Sequence, residues 1–323
     1  MMERYTLNYS SPLYGRRTGQ IKLRPLSFRY YPQFMPRSSV EQLMEFYAIS
    51  GGVPKYMEFL DAQKSVLENI RDLFVNPAAY LYAEPRFLLA QEVRELTSYF
   101  SILKVIAAGN HKLGHIARQL GVETRHLTGY LKTLIDLDIL ERTVPVTEKN
   151  PEKSKKGLYR ICDSVLRFWF RFIFPNQVYI ESLQSEFVMK KIESDWAYFM
   201  GSVFEELITA LVRKQLLLDF RVIKAGQWWN RDVQIDLAAL TEDNQWILGE
   251  CKWLSRPLDQ GALIELETKA EYFSRHHREP IQHLALFSRS GFTERLQRAA
   301  GERGVLLYDL ETIGGKLNGG ATG

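Results

Sequence analysis

The chain has 323 residues, 46% of them hydrophobic and 25% charged, enough apolar material to fold two or three domains, so it is not a disordered protein. Its two cysteines, Cys162 and Cys251, lie far apart in no CxxC spacing, which excludes a disulfide framework and a zinc ribbon and suits a reducing cytoplasm. Net charge is +4, yet residues 95–175 hold 13 Lys/Arg against 8 Asp/Glu, a surplus of 5, so the remainder sits at −1. A basic segment of this kind reads as a face toward a phosphate-rich partner or as an ordinary solvated surface.

Residues 1–36 carry turns at Ser11-Pro12, Gly15, Gly19, Pro25, Pro32 and Pro36 between short strand-like pieces. Ser38 and Ser39 then offer an N-cap, with Glu41 and Gln42 in capping-box range, for a helix "VEQLMEFYAIS" that stops at Gly51-Gly52. Val53-Pro54 restarts the chain, and helical patterns continue to about residue 92.

From Leu96 the pattern predicts three closely spaced helices, "TSYFSILKVIAAG", "KLGHIARQLG" and "TRHLTGYLKTLIDLD". Ile116, Ala117 and Leu120 form one apolar face, and Leu127, Tyr130, Leu131 and Leu134 form the next, the spacing of a helix-turn-helix. The segment "ILERTVPVTEKNPEKSKKGLYRI" then alternates, passes through a Lys-rich loop and alternates again, as a two-stranded wing does. In a winged helix that binds DNA the third helix enters the major groove, so Arg125, His126, Thr128 and Lys132 are the candidate contacts, with Lys153, Lys155 and Lys156 on phosphate. Such lysines give affinity without sequence choice. The same module also serves as a protein-docking surface, and the two readings stand side by side. The aromatic-rich residues 163–200 read as a helical connector that packs the wing against the C-terminal domain. "VLRFWFRFIFP" is the most apolar stretch, but Arg167 and Arg171 interrupt it, and "MMERYTLNYSS" has no apolar signal core, so neither a membrane span nor export is expected.

The last part runs helix, three strands, helix, strand, helix, strand: an α/β sandwich around a mixed sheet. Side chains alternate faces along a strand, so Asp236 shares one with Ala238 and Leu240, while Glu250 and Lys252 share one and Cys251 points away. Charges on strands this apolar need a partner or a metal. Two carboxylates beside a lysine suit Mg2+ (or Mn2+) that keeps several waters and takes phosphate oxygens, with Lys252 neutralising developing charge; a structural ion pair is the alternative. The Glu-x-Lys tripeptide alone proves nothing, since it recurs at Glu267-Thr268-Lys269; the apolar strands around Asp236 and Glu250 and the acid-bearing helix before them give it weight.

These residues carry a resemblance. Gly201-Ser202-Val203-Phe204-Glu205, then Ile235-Asp236, then Glu250-Cys251-Lys252 resembles the PD-(D/E)xK restriction-endonuclease-like fold. More closely, "GSVFEELI", "QWWNRDVQIDLAAL" and "ILGECKW", preceded by "YRICDSVLRFWFRFIFPN", are similar to the C-terminal part of a prokaryotic, archaeal-type AAA+-related ATPase family. The resemblance implies Asp236 and Glu250 as metal ligands, Lys252 as the catalytic lysine, and Glu205, or its neighbour Glu206, as the helix acid. It extends forward: "SPLYGRRTGQIKLRPLSF" and "YAISGGVPKYMEFLD" look like the end of that family's ATPase domain and its helical lid, "GGVPKY" and "ECKW" being the most specific words. No GxxxxGK[ST] loop occurs, so ATP hydrolysis by this chain alone is not expected, and ATP would bind only if a missing N-terminal ATPase half were supplied. Arg16 and Arg17 read as exposed turn arginines, although in a complete ATPase they are within reach of a nucleotide.

The expected organisation is multidomain α/β: residues 1–92 as the end of an ATPase domain and its lid, 93–162 as a winged helix, 163–200 as a connector, 201–312 as the nuclease-like domain and 313–323 as a flexible tail. The expected function is DNA binding with metal-dependent phosphodiester hydrolysis in the cytoplasm, alone, as a homo-oligomer or beside an ATPase partner. The alternative is a non-catalytic DNA- or protein-binding regulatory module.

Overall fold

A computed structural model of the chain describes Thr18 and residues 21–319; Arg16 and Arg17 lie outside the described residues. The principal helices are α1 (Val40–Ser50), α2 (Val66–Phe74), α3 (Tyr80–Glu92), α4 (Leu96–Ala107), α5 (Leu113–Leu120), α6 (Thr124–Asp136), α7 (Ser164–Phe168), α8 (Ser185–Arg213), α9 (Gln260–His276), α10 (Glu294–Arg303) and α11 (Leu310–Gly319). Strands β1 (Leu140–Thr143) and β2 (Leu158–Ile161) form an antiparallel hairpin. Strands β3 (Val222–Trp229), β4 (Gln234–Thr241), β5 (Trp246–Lys252), β6 (Ile281–Ser288) and β7 (Leu306–Asp309) form one sheet in that order.

Local chemistry sets the helix ends. Ser39 accepts the Gln42 N–H at the start of α1, and Ser65 and Glu68 make a reciprocal capping box at α2. At the far end of α1, Gly51 takes φ +58°, which strains any residue with a Cβ, and Gly52 lies flat against Leu26, where a Cβ would fall 1.9 Å from the Leu26 carbonyl oxygen. The Leu26 N–H donates to Gly52 O at 2.7 Å, so the paired glycines dock the chain entering from residue 21.

In the sheet, β3, β4 and β5 are antiparallel, with Asn244 at φ +60° in the tight turn between β4 and β5. β6 and β7 then add in parallel, through crossovers that carry α9 and α10. Helix α8 covers one face, where Val203, Phe204 and Leu207 meet Leu237, Ala239, Ile247 and Phe287. Helices α9 and α10 cover the other, where Leu263, Leu266, Phe273 and Leu296 meet Ile235, Ala238, Leu248 and Leu286. Covered on both sides, β5 is buried from Trp246 to Cys251.

Two expected boundaries do not hold. α8 runs unbroken through residue 201, so the connector and the first helix of the sheet domain are one 29-residue element, and the apolar cluster on its face extends from Phe28 to Leu317. A helix whose apolar positions continue past a glycine has no physical reason to stop there; Gly201 meets nothing within 4 Å and is simply accommodated. Residues 313–319 of the expected flexible tail are instead part of α11, anchored by Ile313 and Leu317, both buried, and the rest of that tail lies outside the described residues. None of the helices among the described residues is long and apolar enough to cross a membrane.

Candidate active site

Asp236 on β4 and Glu250 on the neighbouring β5 are among the few buried charged residues, 6% and 1% exposed. Asp236 Oδ2 accepts the Cys251 N–H at 3.0 Å, a bond possible because β4 has ended its ladder with β5 at Leu237 and Gly249. Lys252 Nζ lies 3.1 Å from Glu250 Oε2. Lys269, one turn along α9 from Glu265, places its Nζ 2.9 Å from Glu250 Oε1 and 2.9 Å from Glu265 Oε1. Glu250 is thus held between two ammonium groups.

Glu205 enters from α8. Its Oε2 accepts from Gln227 Nε2 at 2.7 Å, and Gln227 Oε1 in turn accepts from Arg160 of the hairpin at 2.8 Å. Glu206, the other candidate helix acid, turns away toward Arg167 and Arg160.

This crowding sets the electrostatics. Burial, then the charge of Glu250, pushes the Asp236 carboxyl up to about 7. Burial, then Asp236, pushes Glu205 up to about 8. Burial pulls Lys252 and Lys269 down, but Glu250 outweighs it, and both are held above the ordinary lysine value. Burial also raises the Cys251 thiol well above its usual range, so it is an inert core group that faces the α8 side.

Among the described residues, no three His, Cys, Asp or Glu side chains converge to hold a metal. The chemistry of the donor set nevertheless fits Mg2+ or Mn2+. Such ions need only one or two carboxylates when waters and substrate phosphate complete the shell, and the charge of a buried Asp236 beside Glu250 is what a cation relieves.

The structure therefore brings Asp236, Glu250 and Lys252 together, with Glu205 at the margin. Sequence reasoning missed Lys269 and Gln227. Lys269 belongs to the second Glu-x-Lys tripeptide, which served only to show that the tripeptide recurs; its i,i+4 pairing with Glu265 was the only available signal.

The candidate DNA contacts lie elsewhere. Arg125, His126, Thr128 and Lys132 are all exposed on α6, although Arg125 pairs with Glu123 at 2.7 Å and the Thr128 hydroxyl donates to Thr124 O at 3.3 Å. Lys153, Lys155 and Lys156 are exposed on the hairpin loop, and Lys156 pairs with Glu148 at 2.6 Å. The hairpin does not project freely: the Val146 N–H donates to Gln227 O at 2.9 Å, which fastens it to β3.

Residues 169–265, which include the whole candidate site except Lys269, match the model of a family described as archaea bacterial proteins of unknown function. An uncharacterized protein of Methanocaldococcus jannaschii, MJECL04, is 38% identical over 262 residues, 78% of this chain and 57% of that protein, so the chain spans little more than half the length of this curated relative. A repair endonuclease from Pyrococcus abyssi superposes with a TM-score of 0.25 at 15% identity over 32% of this chain and 45% of that one. Protein VC1899 from Vibrio cholerae gives 0.29 at 13% identity over 95% and 63%. Can2 from Sulfobacillus thermosulfidooxidans, in complex with cyclic tetra-adenylate, gives 0.22 at 14% identity over 74% and 56%. Superpositions this loose fix neither fold family nor activity.

Proposed function

We propose that the chain is a DNA-directed, metal-dependent phosphodiesterase module: a winged helix formed by α4, α5, α6 and the β1–β2 hairpin, joined to a restriction-endonuclease-like domain formed by α8 and the five-stranded sheet. The observation that carries this is a buried Asp236–Glu250 pair with Lys252 beside it, 3.1 Å from Glu250. Asp236 and Glu250 would hold Mg2+ or Mn2+, which when bound supplies Lewis acidity and a water of lowered pKa. Lys252 keeps its proton and faces the carboxylates, where it neutralises negative charge that builds on a phosphodiester during attack. Glu205, held by Gln227, serves as a positioning acid at the margin.

The exposed row Arg125, His126, Thr128 and Lys132 would meet the duplex, and Lys153, Lys155 and Lys156 its phosphates. Residues 1–92 are read as the remnant of an AAA+-related ATPase domain and its lid. Supercoiled plasmid with Mn2+ tests the proposal: the wild-type chain nicks or linearises it, and Lys252→Met and Glu250→Gln reduce the rate by at least about 100-fold. Equal rates in all three proteins would end it.

A specific observation favours a second reading, a non-catalytic binding module. Lys252 lies 3.1 Å from one Glu250 oxygen and Lys269 2.9 Å from the other, so a metal would meet ammonium charge on both sides even though Oε1 accepts no hydrogen bond. That reading predicts DNA binding without cleavage and no metal response in any of the three proteins.

A further inference from the structure

A cavity of about 260 Å³ lies where the hairpin, α7, α8 and β3 meet, and Glu205, Glu206 and Gln227 are part of its lining. Its wall holds three guanidinium groups, from the half-buried Arg160 and Arg167 and from the exposed Arg213. Arg160 and Arg167 reach Glu206 through their terminal nitrogens, yet the Nε of each is buried without a hydrogen-bond partner. Thr209, 7% exposed, lines the same cavity, and its hydroxyl oxygen is a third buried polar atom without a partner. Arg213 is seated by its Nε–H, which donates to Ala225 O at 2.8 Å, and by Gly226, where any Cβ would stand 3.3 Å from its guanidinium.

Leaving a buried donor unsatisfied costs about 1–3 kcal/mol, and three around one cavity call for a common acceptor. A phosphate group presents several acceptor oxygens that match guanidinium forks and a hydroxyl, and such charge-assisted bonds are roughly twice as strong as neutral ones. The rest of the wall is different in kind. Tyr47 and Trp229 offer ring faces, and Glu141 offers a carboxylate acceptor to an amino group. The volume falls just under the roughly 300–1,000 Å³ of pockets for drug-sized ligands, which suits one nucleotide and excludes an oligonucleotide.

We infer that this cavity binds a nucleoside monophosphate, with its phosphate on Arg160, Arg167 and Thr209 and its base beside Tyr47 and Trp229. The site needs neither a metal nor strand cleavage. Since the hairpin supplies Arg160 and the sheet domain supplies Thr209, an occupied pocket would also clamp one against the other.

Titration calorimetry on the full chain with inorganic phosphate and with dAMP tests this, using Thr209→Val and Arg160→Gln. Thr209→Val keeps the shape and removes a hydroxyl that is unsatisfied in the free protein, so it should fold at least as well as wild type. The expected result is dAMP binding tighter than phosphate, weakened at least tenfold in each variant, with the dAMP-induced rise in Tm lost. A short duplex should fail to displace dAMP, because the cavity is too small for a strand; displacement by duplex would overturn the assignment of a free nucleotide. No binding of either probe at millimolar concentration, phosphate binding without dAMP binding, or affinities unchanged in both variants would overturn the assignment.

Discussion

Replacing Asp236 by Asn should stabilise the protein at alkaline pH and leave it nearly unchanged in acid. Asp236 is 6% exposed and its carboxyl rises from 3.8 to about 7, because burial and then Glu250 oppose its ionisation. A raised carboxyl binds its proton more tightly folded than unfolded. Between about pH 4 and pH 7 the folded state therefore holds more protons, and stability falls as pH rises through that window. Above it the full penalty remains. At about 1.4 kcal/mol per tenfold change in proton affinity, the ceiling is about 4 kcal/mol, part of it shared with Glu205. Asn keeps an oxygen to accept the Cys251 N–H and removes the charge. Thermal unfolding in chelator should thus place Asp236→Asn several degrees above wild type at pH 8 and within a degree or so at pH 4, at about 2–4 °C per kcal/mol for a chain of this size or somewhat less. Mg2+ should then narrow the gap at pH 8 by binding only wild type. If Asp236→Asn is less stable at every pH with the same pH slope as wild type, the carboxylate is a structural partner and the strained-site reasoning fails.

Other expectations rest on single contacts. Lys269→Met removes an ammonium group that sits 2.9 Å from Glu250, so Mn2+ affinity measured by calorimetry should rise about tenfold or more, while chelated protein loses stability because Glu250 keeps only Lys252. The double change Lys153→Glu, Lys155→Glu should weaken duplex binding uniformly across sequences and flatten the dependence of log affinity on log salt by about 2, read by fluorescence anisotropy. Gly52→Ala drives a Cβ to 1.9 Å from the Leu26 carbonyl and should lower the urea midpoint by the equivalent of about 3 kcal/mol.

Much of the architecture was legible because period and punctuation agree in this chain. The helix at residues 40–50 and the strand at residues 281–288 fall at the expected ends, since Ser39 caps the first and a continuous apolar run from Leu284 to Phe287 marks the second. The order of strands and helices from residue 201 was equally plain, because the tight turn at Asn244 and the amphipathic α9 and α10 leave few ways to build the sheet. What escaped was long range. Nothing local marks residue 200 as the interior of a helix rather than a linker, because α8 uses one side against the N-terminal helices and another against the sheet. The alternation placed Asp236 and Glu250 on strands, but the partners of Glu250 depend on a helix that crosses over β5 and lowers Lys269 onto it. The bridge from Arg160 through Gln227 to Glu205 joins residues 67 and 22 positions apart, beyond any periodicity.

The most direct measurement is Mn2+ binding by titration calorimetry to the wild-type chain and to Asp236→Ala at pH 7.5. A metal site on β4 and β5 predicts saturable binding in the wild type that disappears in Asp236→Ala. Absence of binding in the wild type, or binding that survives the substitution unchanged, would contradict it and leave the three charges on those strands as a buried ion-pair network.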